Sequence, residues 1–314
     1  HLVHRLGETL VVLMVMSFVF YALIALMPGD PIDIMVQADP NLTPADAERL
    51  KALYGLDRPI PLRYWAWLKA ALAGDLGYSR IHTRPVLEIL WPRLGNSLVL
   101  LGLSLALALA MALPLGIYAA LRQHRWADHL INLLCFAGIS IPPFWLALML
   151  IIGFAVILGW LPASGIITIG DGGLGDRLTH LVLPVATLTI ASIGGYIRFL
   201  RAAVVETMRL DYIRTARAKG ASDAQVVLGH ALRNALIPLA TLVGLSFGAL
   251  FSGALITEIM FAWPGMGKMI YDAVMGNDFN LALIGLLFAT LMTLIGNLMA
   301  DLAVSWLDPR IVVR

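Results

Sequence analysis

Charge is what this sequence has little of. Only 13% of its 314 residues are Asp, Glu, Lys or Arg, about half the density of a soluble globular chain, while 60% are hydrophobic. So few charges cannot cover a water-facing surface, and so many apolar residues exclude a disordered chain. The net charge of +2 leaves no broad basic face to neutralise phosphates, which excludes a nucleic-acid reader. A single cysteine, Cys135, can form no internal disulfide; within its apolar run it reads as a small buried hydrophobe. The seven histidines are scattered, with no H-E-x-x-H and no cysteine at ligand spacing, so no metal site built by this chain alone is expected. The chain begins at His1, and native residues before it are expected. A mean hydropathy of +0.84 identifies a membrane protein.

A hydrocarbon core of roughly 30 Å needs about 20 apolar residues in a helix. Six stretches qualify, at 9–27, 97–121, 130–158, 181–200, 237–257 and 281–306. The first is longer than a signal-peptide core and is followed by Pro28-Gly29-Asp30-Pro31, a helix stop rather than a small-residue cleavage site. With the N-terminus cytoplasmic, the cytoplasmic segments hold twelve Lys and Arg and the short external loops only Arg177 and Lys268. Both termini are therefore expected inside, with 28–95 external.

The 28–95 segment is too polar to span. Thr43-Pro44-Ala45-Asp46 has a capping hydroxyl, a first-turn proline and an acid at the third position, opening a helix that should end at Gly55. A second stretch, Leu62 to Ala73, carries Tyr64, Trp65 and Trp67 before Gly74. Such aromatics favour the outer membrane surface. Thr43 and Asp46, with Trp263, Pro264, Gly265 and Lys268 of the turn after the fifth span, are candidates for docking an external protein; a small packed cap is the alternative.

Chemistry within the spans is sparse. Ionisable residues are almost absent from mid-membrane positions, and Glu258 and Asp301 fall near span ends, which argues against an ion-coupled carrier. Gly265-Met266-Gly267-Lys268 resembles a phosphate loop but lacks the upstream glycine and the magnesium-binding hydroxyl, Met269 standing in its place. Gly244-Leu245-Ser246-Phe247-Gly248 spells the G-x-S-x-G of a hydrolase elbow, yet no strand precedes it. Gly244, Gly248 and Ser252 read better as a small-residue ladder for close helix packing.

The informative segment is 198–236, with seven basic and three acidic residues. Tyr212 to Lys219 is compatible with a helix, Gly220 supplies its stop, and Ser222-Asp223-Ala224-Gln225 is a capping box starting the next helix. Taken alone, a basic loop would report only topology. The residues Tyr212-Ile213-Arg214-Thr215-Ala216-Arg217-Ala218-Lys219-Gly220, followed by His230-Ala231-Leu232-Arg233-Asn234-Ala235-Leu236-Ile237-Pro238, closely resemble the cytoplasmic signature of ABC importer permeases. The likeness is to the first permease subunit of the dipeptide, oligopeptide and nickel family, of the dipeptide permease B type. The general signature begins Glu-Ala-Ala with a glycine six positions after the Glu. Here Arg214 and Thr215 take the first two places, while Ala216 and Gly220 fit. Pro28-Gly29-Asp30-Pro31, Gly74-Asp75-Leu76-Gly77 with Ser79, Phe261 to Gly267 and Asp308-Pro309-Arg310 extend the resemblance over most of the chain.

The resemblance implies an all-α fold, six transmembrane helices of a type I ABC importer permease, as a single domain over 1–314 with a helical external segment between helices 1 and 2. It implies no catalytic, cofactor or metal site in this chain, ATP and Mg being bound by two partner ATP-binding subunits. The other implied partners are a second homologous permease, a periplasmic or lipid-anchored substrate-binding protein and membrane lipid, but no nucleic acid. Its expected place is the bacterial cytoplasmic membrane. Tyr212, Arg214, Thr215, Ala216, Arg217, Ala218, Lys219 and Gly220 would form the coupling helix to an ATPase subunit. The cargo would be di- or oligopeptides, or alternatively nickel or metal chelates; a stand-alone carrier is the competing class.

Overall fold

The computed structural model describes residues 2–27, 43–53, 57–170 and 172–307. Its elements are helical, apart from one isolated bridge between Tyr78 and Pro85. In chain order they are α1 (Leu2–Ala25), α2 (Pro44–Leu53), α3 (Ile60–Leu72), α4 (Val86–Leu121), α5 (Trp126–Ser140) and α6 (Pro143–Leu150), the last prolonged by a π-helical stretch, Ile151–Ile157. Then come α7 (Leu174–Thr207), α8 (Asp211–Ala218), α9 (Leu232–Met260), α10 (Met266–Met275) and α11 (Phe279–Leu307). A short helical start at Asp223–Gln225 runs through a π-helical turn, Val226–Ala231, into α9. Pro28 to Pro31, Gly55 and Asp308 to Arg310 lie outside the described residues.

Among the described residues five helices are long and apolar enough to cross a membrane, and the number is six if a bent pair counts as one span. That pair corrects the expectation of one continuous span over 130–158. Trp126–Ser140 and Pro143–Ile157 meet at 100°. The cause is Pro142-Pro143: neither has an N–H to continue the helix, and a residue before proline is steered out of the helical region. Ile141 accordingly sits at φ −83°, ψ 123°.

The described residues divide into two compact units, one of 96–267 with 292–307, the other of 2–95 with 268–291. In the first, α7 is the central element. Its Tyr196, Ile197, Leu200, Ala203 and Val204 pack with Ala108, Ala112 and Ala120 of α4, Cys135 of α5, and Ala235 and Leu239 of α9. Small residues let the backbones approach. A Cβ on Gly194 would lie 2.7 Å from the Cys135 carbonyl oxygen, and one on Gly138 3.2 Å from that of Ile190. Gly244 is buried in α9; the surroundings of Gly248 and Ser252 lie outside what is described. Gly244 to Gly248 run within that helix, so the strand-turn-helix of a nucleophile elbow is absent there. Asp128, 2% exposed, clamps Arg201 bidentately, both bonds 2.6 Å, tying the first turn of α5 to the end of α7.

In the second unit, α3 packs on α1. The Tyr64 and Ser17 hydroxyls are 2.7 Å apart, and Tyr64 and Trp67 meet Phe18 and Tyr21 edge-on or tilted. Only part of this aromatic helix is thus free for the membrane surface: Trp65 is exposed, with the Lys69 ammonium 5.5 Å from its ring centroid. The turn before α11 is held by its N-cap, Asp278, which is buried. Asp278 accepts from the Ser79 hydroxyl (2.5 Å) and the Ile81 amide (3.1 Å), while Arg80 donates to the Gly276 carbonyl.

Two adjacent glycines of α7 test this packing. Gly194→Ala should destabilise the protein by about 1–3 kcal/mol, because its methyl group meets backbone that cannot retreat. Gly195→Ala, with open space around the new Cβ, should be neutral or stabilising by up to about 1 kcal/mol. Thermal unfolding in detergent distinguishes them, and equal midpoints would refute the close approach.

Candidate coupling segment and outer turn

An eight-residue helix is far too short to persist alone in water, so α8 must be held by its surroundings. Its anchor is Ile213, fully buried against Val226 and Ala231, with Met208, Ala216 and Ala221 around them. At the C-terminus Ala221 N–H donates to the Ala216 carbonyl (3.2 Å) and Gly220 N–H to the Arg217 carbonyl (2.9 Å). These are the two bonds of a Schellman motif, with Gly220 at φ +85°, a conformation that costs any residue bearing a Cβ. The expected capping box follows at once: Ser222 Oγ accepts from the Gln225 amide, and the Gln225 side chain accepts from the Ser222 amide. A tie across the two halves of the signature completes the frame, the Asn234 side-chain amide donating to the Tyr212 hydroxyl at 2.6 Å.

Chemistry is thus divided by face. Tyr212, Arg214, Thr215, Arg217, Ala218, Lys219 and Gly220 are exposed, whereas Ala216 is half-buried in the chain's own small core. The small side chain of Ala216 joins Ile213 of the same helix in this core, beside Ala221. Arg214 and Arg217 lie 3.6 and 3.5 Å from Asp211 and Asp223, all four side chains well exposed. Such pairs are weak, roughly 0–1 kcal/mol, and readily exchanged for a partner's carboxylates or carbonyls.

The turn after α9 departs from its expected role. Trp263 is 2% exposed; its indole N–H donates to the Asn96 carbonyl at 3.2 Å, and the Asn96 side-chain amide donates to the Pro264 carbonyl at 2.9 Å. Gly265 is buried, and a Cβ there would fall on the Glu258 carboxyl group. That carboxyl accepts from the Ser97 hydroxyl, whose oxygen accepts from the Met266 amide (2.7 Å). Trp263, Pro264 and Gly265 therefore form a knot joining the start of span two to the end of span five, not a docking face. Lys268 is already in the first turn of α10, paired with Asp272 at 2.6 Å. Thr43 and Asp46 do form a reciprocal cap (Thr43 hydroxyl to Asp46 carboxylate 2.6 Å, Asp46 amide to Thr43 hydroxyl 3.3 Å). The Thr43 hydroxyl, then its backbone N–H, hold the Asp46 carboxyl below the usual carboxylate range.

Sequence reasoning missed Ile213, Asn234 and the Ser97–Glu258 pair. Ile213 carried a signal: it is the one large aliphatic residue of α8, three positions before Ala216. The Ser97–Glu258 contact spans 161 residues, and nothing local announces it.

The chain is similar to known proteins over its whole length. Residues 112–313 match the family of binding-protein-dependent transport system inner membrane components, and residues 1–101 match the N-terminal part of such membrane components. The oligopeptide transport system permease protein AppB of Bacillus subtilis is 34% identical over 99% of this chain and 98% of its own. The glutathione transport system permease protein GsiC of Escherichia coli K12 is 35% identical over the same shares. A chain of the inward-facing MetNI methionine ABC transporter superposes with a TM-score of 0.57 at 19% identity, covering 71% of this chain and 98% of that one. The fold is that of a type I ABC importer permease, and the chain belongs to the family of binding-protein-dependent transport system inner membrane components.

Proposed function

We propose that this chain is one of two permease subunits of an ATP-driven importer of di- and oligopeptides. The observation that carries the mechanism is the rigid, cation-bearing α8, pinned at one end by a Schellman motif and capping box and along its length by Ile213. Such a helix transmits a rigid-body displacement that a loose loop would absorb. The peptide cargo is supported by full-length similarity to AppB and GsiC, which disfavours the nickel alternative. Two ATP-binding subunits would carry ATP and Mg, a second permease would complete the path, and a binding protein would deliver substrate to the external side. ATP and the loaded binding protein would each stabilise a different access state. Exposed Thr43 and half-buried Asp46 remain the docking candidates.

Uptake and ATPase measurements on the assembled transporter test this reading. Radiolabelled di- and tripeptides should enter in an ATP-dependent manner and chelated nickel should not; the reverse preference would overturn the peptide assignment. Gly220→Val should reduce uptake by about tenfold or more with the six spans still inserted, because a β-branched residue is strained at positive φ. Gly220→Asn, tolerated there, should retain most transport. Normal uptake by Gly220→Val would place the coupling contact elsewhere, with the 122–129 loop next.

Orientation is part of the same proposal, with both termini cytoplasmic. A cysteine replacing Asp46 should react with an impermeant maleimide applied from the external side. Protection of that thiol in intact cells and labelling only after lysis would invert the topology.

A further inference from the structure

A groove of about 430 Å³ lies on the first unit between α5 and α7, lined by Asn132, Phe136, Gly195, Arg198, Phe199 and Arg201, among others. Two arginines in a spanning helix demand anions, since an unpaired charge at the edge of hydrocarbon is costly. Arg201 has its anion in Asp128. That carboxylate accepts from Arg201 Nε and Nη2, the His124 amide (3.0 Å) and the Asn132 side chain (2.8 Å). Its four lone-pair sites are thereby filled, and it has nothing left for a second guanidinium. Arg198 is exposed, and among the described residues its contact is the Phe136 ring, 4.3 Å from guanidinium to centroid. One positive charge of this groove is therefore uncompensated.

The surroundings identify what supplies the missing anion. Phe136, Phe199, Leu133 and Leu134 expose about half or more of their surface, an apolar rim suited to hydrocarbon. Asp128 stands in the first turn of α5, so Arg201 marks the level where that helix begins and Arg198, three residues earlier, lies about 4.5 Å deeper. Guanidinium at the top of an apolar groove, one turn inside a helix terminus, is the geometry of the headgroup and acyl boundary. We propose that the groove binds one anionic phospholipid, its phosphodiester on Arg198 and an acyl chain across Phe136 and Phe199. Arg198, Arg201 and Asp128 sum to a single positive charge, which matches a monoanionic phosphodiester such as phosphatidylglycerol. A zwitterionic lipid brings its own ammonium and lacks this match. Gly195 forms the open floor: a Cβ there meets nothing within 4 Å, so an added side chain occupies the groove without disturbing the fold.

The inference rests on the membrane placement of the family and not on the peptide cargo. Its test is native mass spectrometry of the assembled transporter taken from micelles containing equal phosphatidylglycerol and phosphatidylcholine, with ATP-dependent uptake measured separately in liposomes. The wild type should retain phosphatidylglycerol preferentially. Arg198→Gln should lower that retention by about tenfold, the weight of a lost charge-assisted hydrogen bond, and Gly195→Leu should lower it comparably with unchanged thermal stability. Millimolar inorganic phosphate should leave it unchanged, because the acyl contact is missing from that probe. Retention unaffected by either variant would overturn the site, and displacement by free phosphate would overturn the lipid as its occupant. Loss of peptide uptake in every lipid with retention intact would instead count against the transport reading.

Discussion

The last carbonyls of a helix need partners, and at the edge of a bilayer the chain must supply them from its own backbone. Among the described residues the chain solves the problem in the same way four times. After α3, α8, α9 and α10 the chain turns back through paired bonds: Asp75 to Ala70 with Gly74 to Ala71, Ala221 to Ala216 with Gly220 to Arg217, Trp263 to Glu258 with Ala262 to Ile259, and Asp278 to Ala273 with Asn277 to Val274. The residues in the left-handed position are Gly74, Gly220, Ala262 and Asn277, with φ between +47° and +91°. Each turn redirects the chain within about three residues and fixes the angle at which the next element starts.

The proposed coupling role rests on that geometry at α8. A lever needs a fixed shape more than a large contact area, and α8 obtains it from one buried isoleucine, the Schellman turn and capping box after its C-terminus, and the Tyr212–Asn234 tie. Its outward face is left polar, with cations only weakly engaged by Asp211 and Asp223. Upstream, the Asp128–Arg201 clamp secures the end of α7 from which this segment departs. Within each unit the same economy serves a different end: Trp263, Glu258, Ser97 and Met266 lock the turn after α9 in the first, and Asp278 locks the loop of Ser79 to Ile81 in the second.

What was legible in the sequence was local. Capping boxes at Thr43–Asp46 and Ser222–Gln225, the stop at Gly220 and the apolar character of the spans each depend on residues within a turn or a window of one another, and apart from the bent third span they appear where expected. The bend in the third span was written in Pro142-Pro143 but was masked by averaging hydropathy over the apolar residues on either side. Trp263 misled because an amphipathic ring next to a proline reads equally well as an interfacial anchor or as a buried plug. Only the distant Asn96 carbonyl, 167 residues away, decides between them. Asp278 and Ser79 are 199 residues apart, and the uncompensated Arg198 emerges only once Asp128 is seen to be fully occupied.

The central claim is that α8 is a preformed lever in the permease itself. Amide hydrogen exchange on the purified chain, without ATP-binding subunits, tests it most directly at Gly220 and Ala221, whose N–H groups close the Schellman motif, and at Val226 beneath Ile213. Protection of these amides by about a hundredfold or more over unstructured rates, corresponding to roughly 3 kcal/mol of local stability, is the predicted result. Exchange at unprotected rates would show a loop that folds only on docking, and would contradict the account.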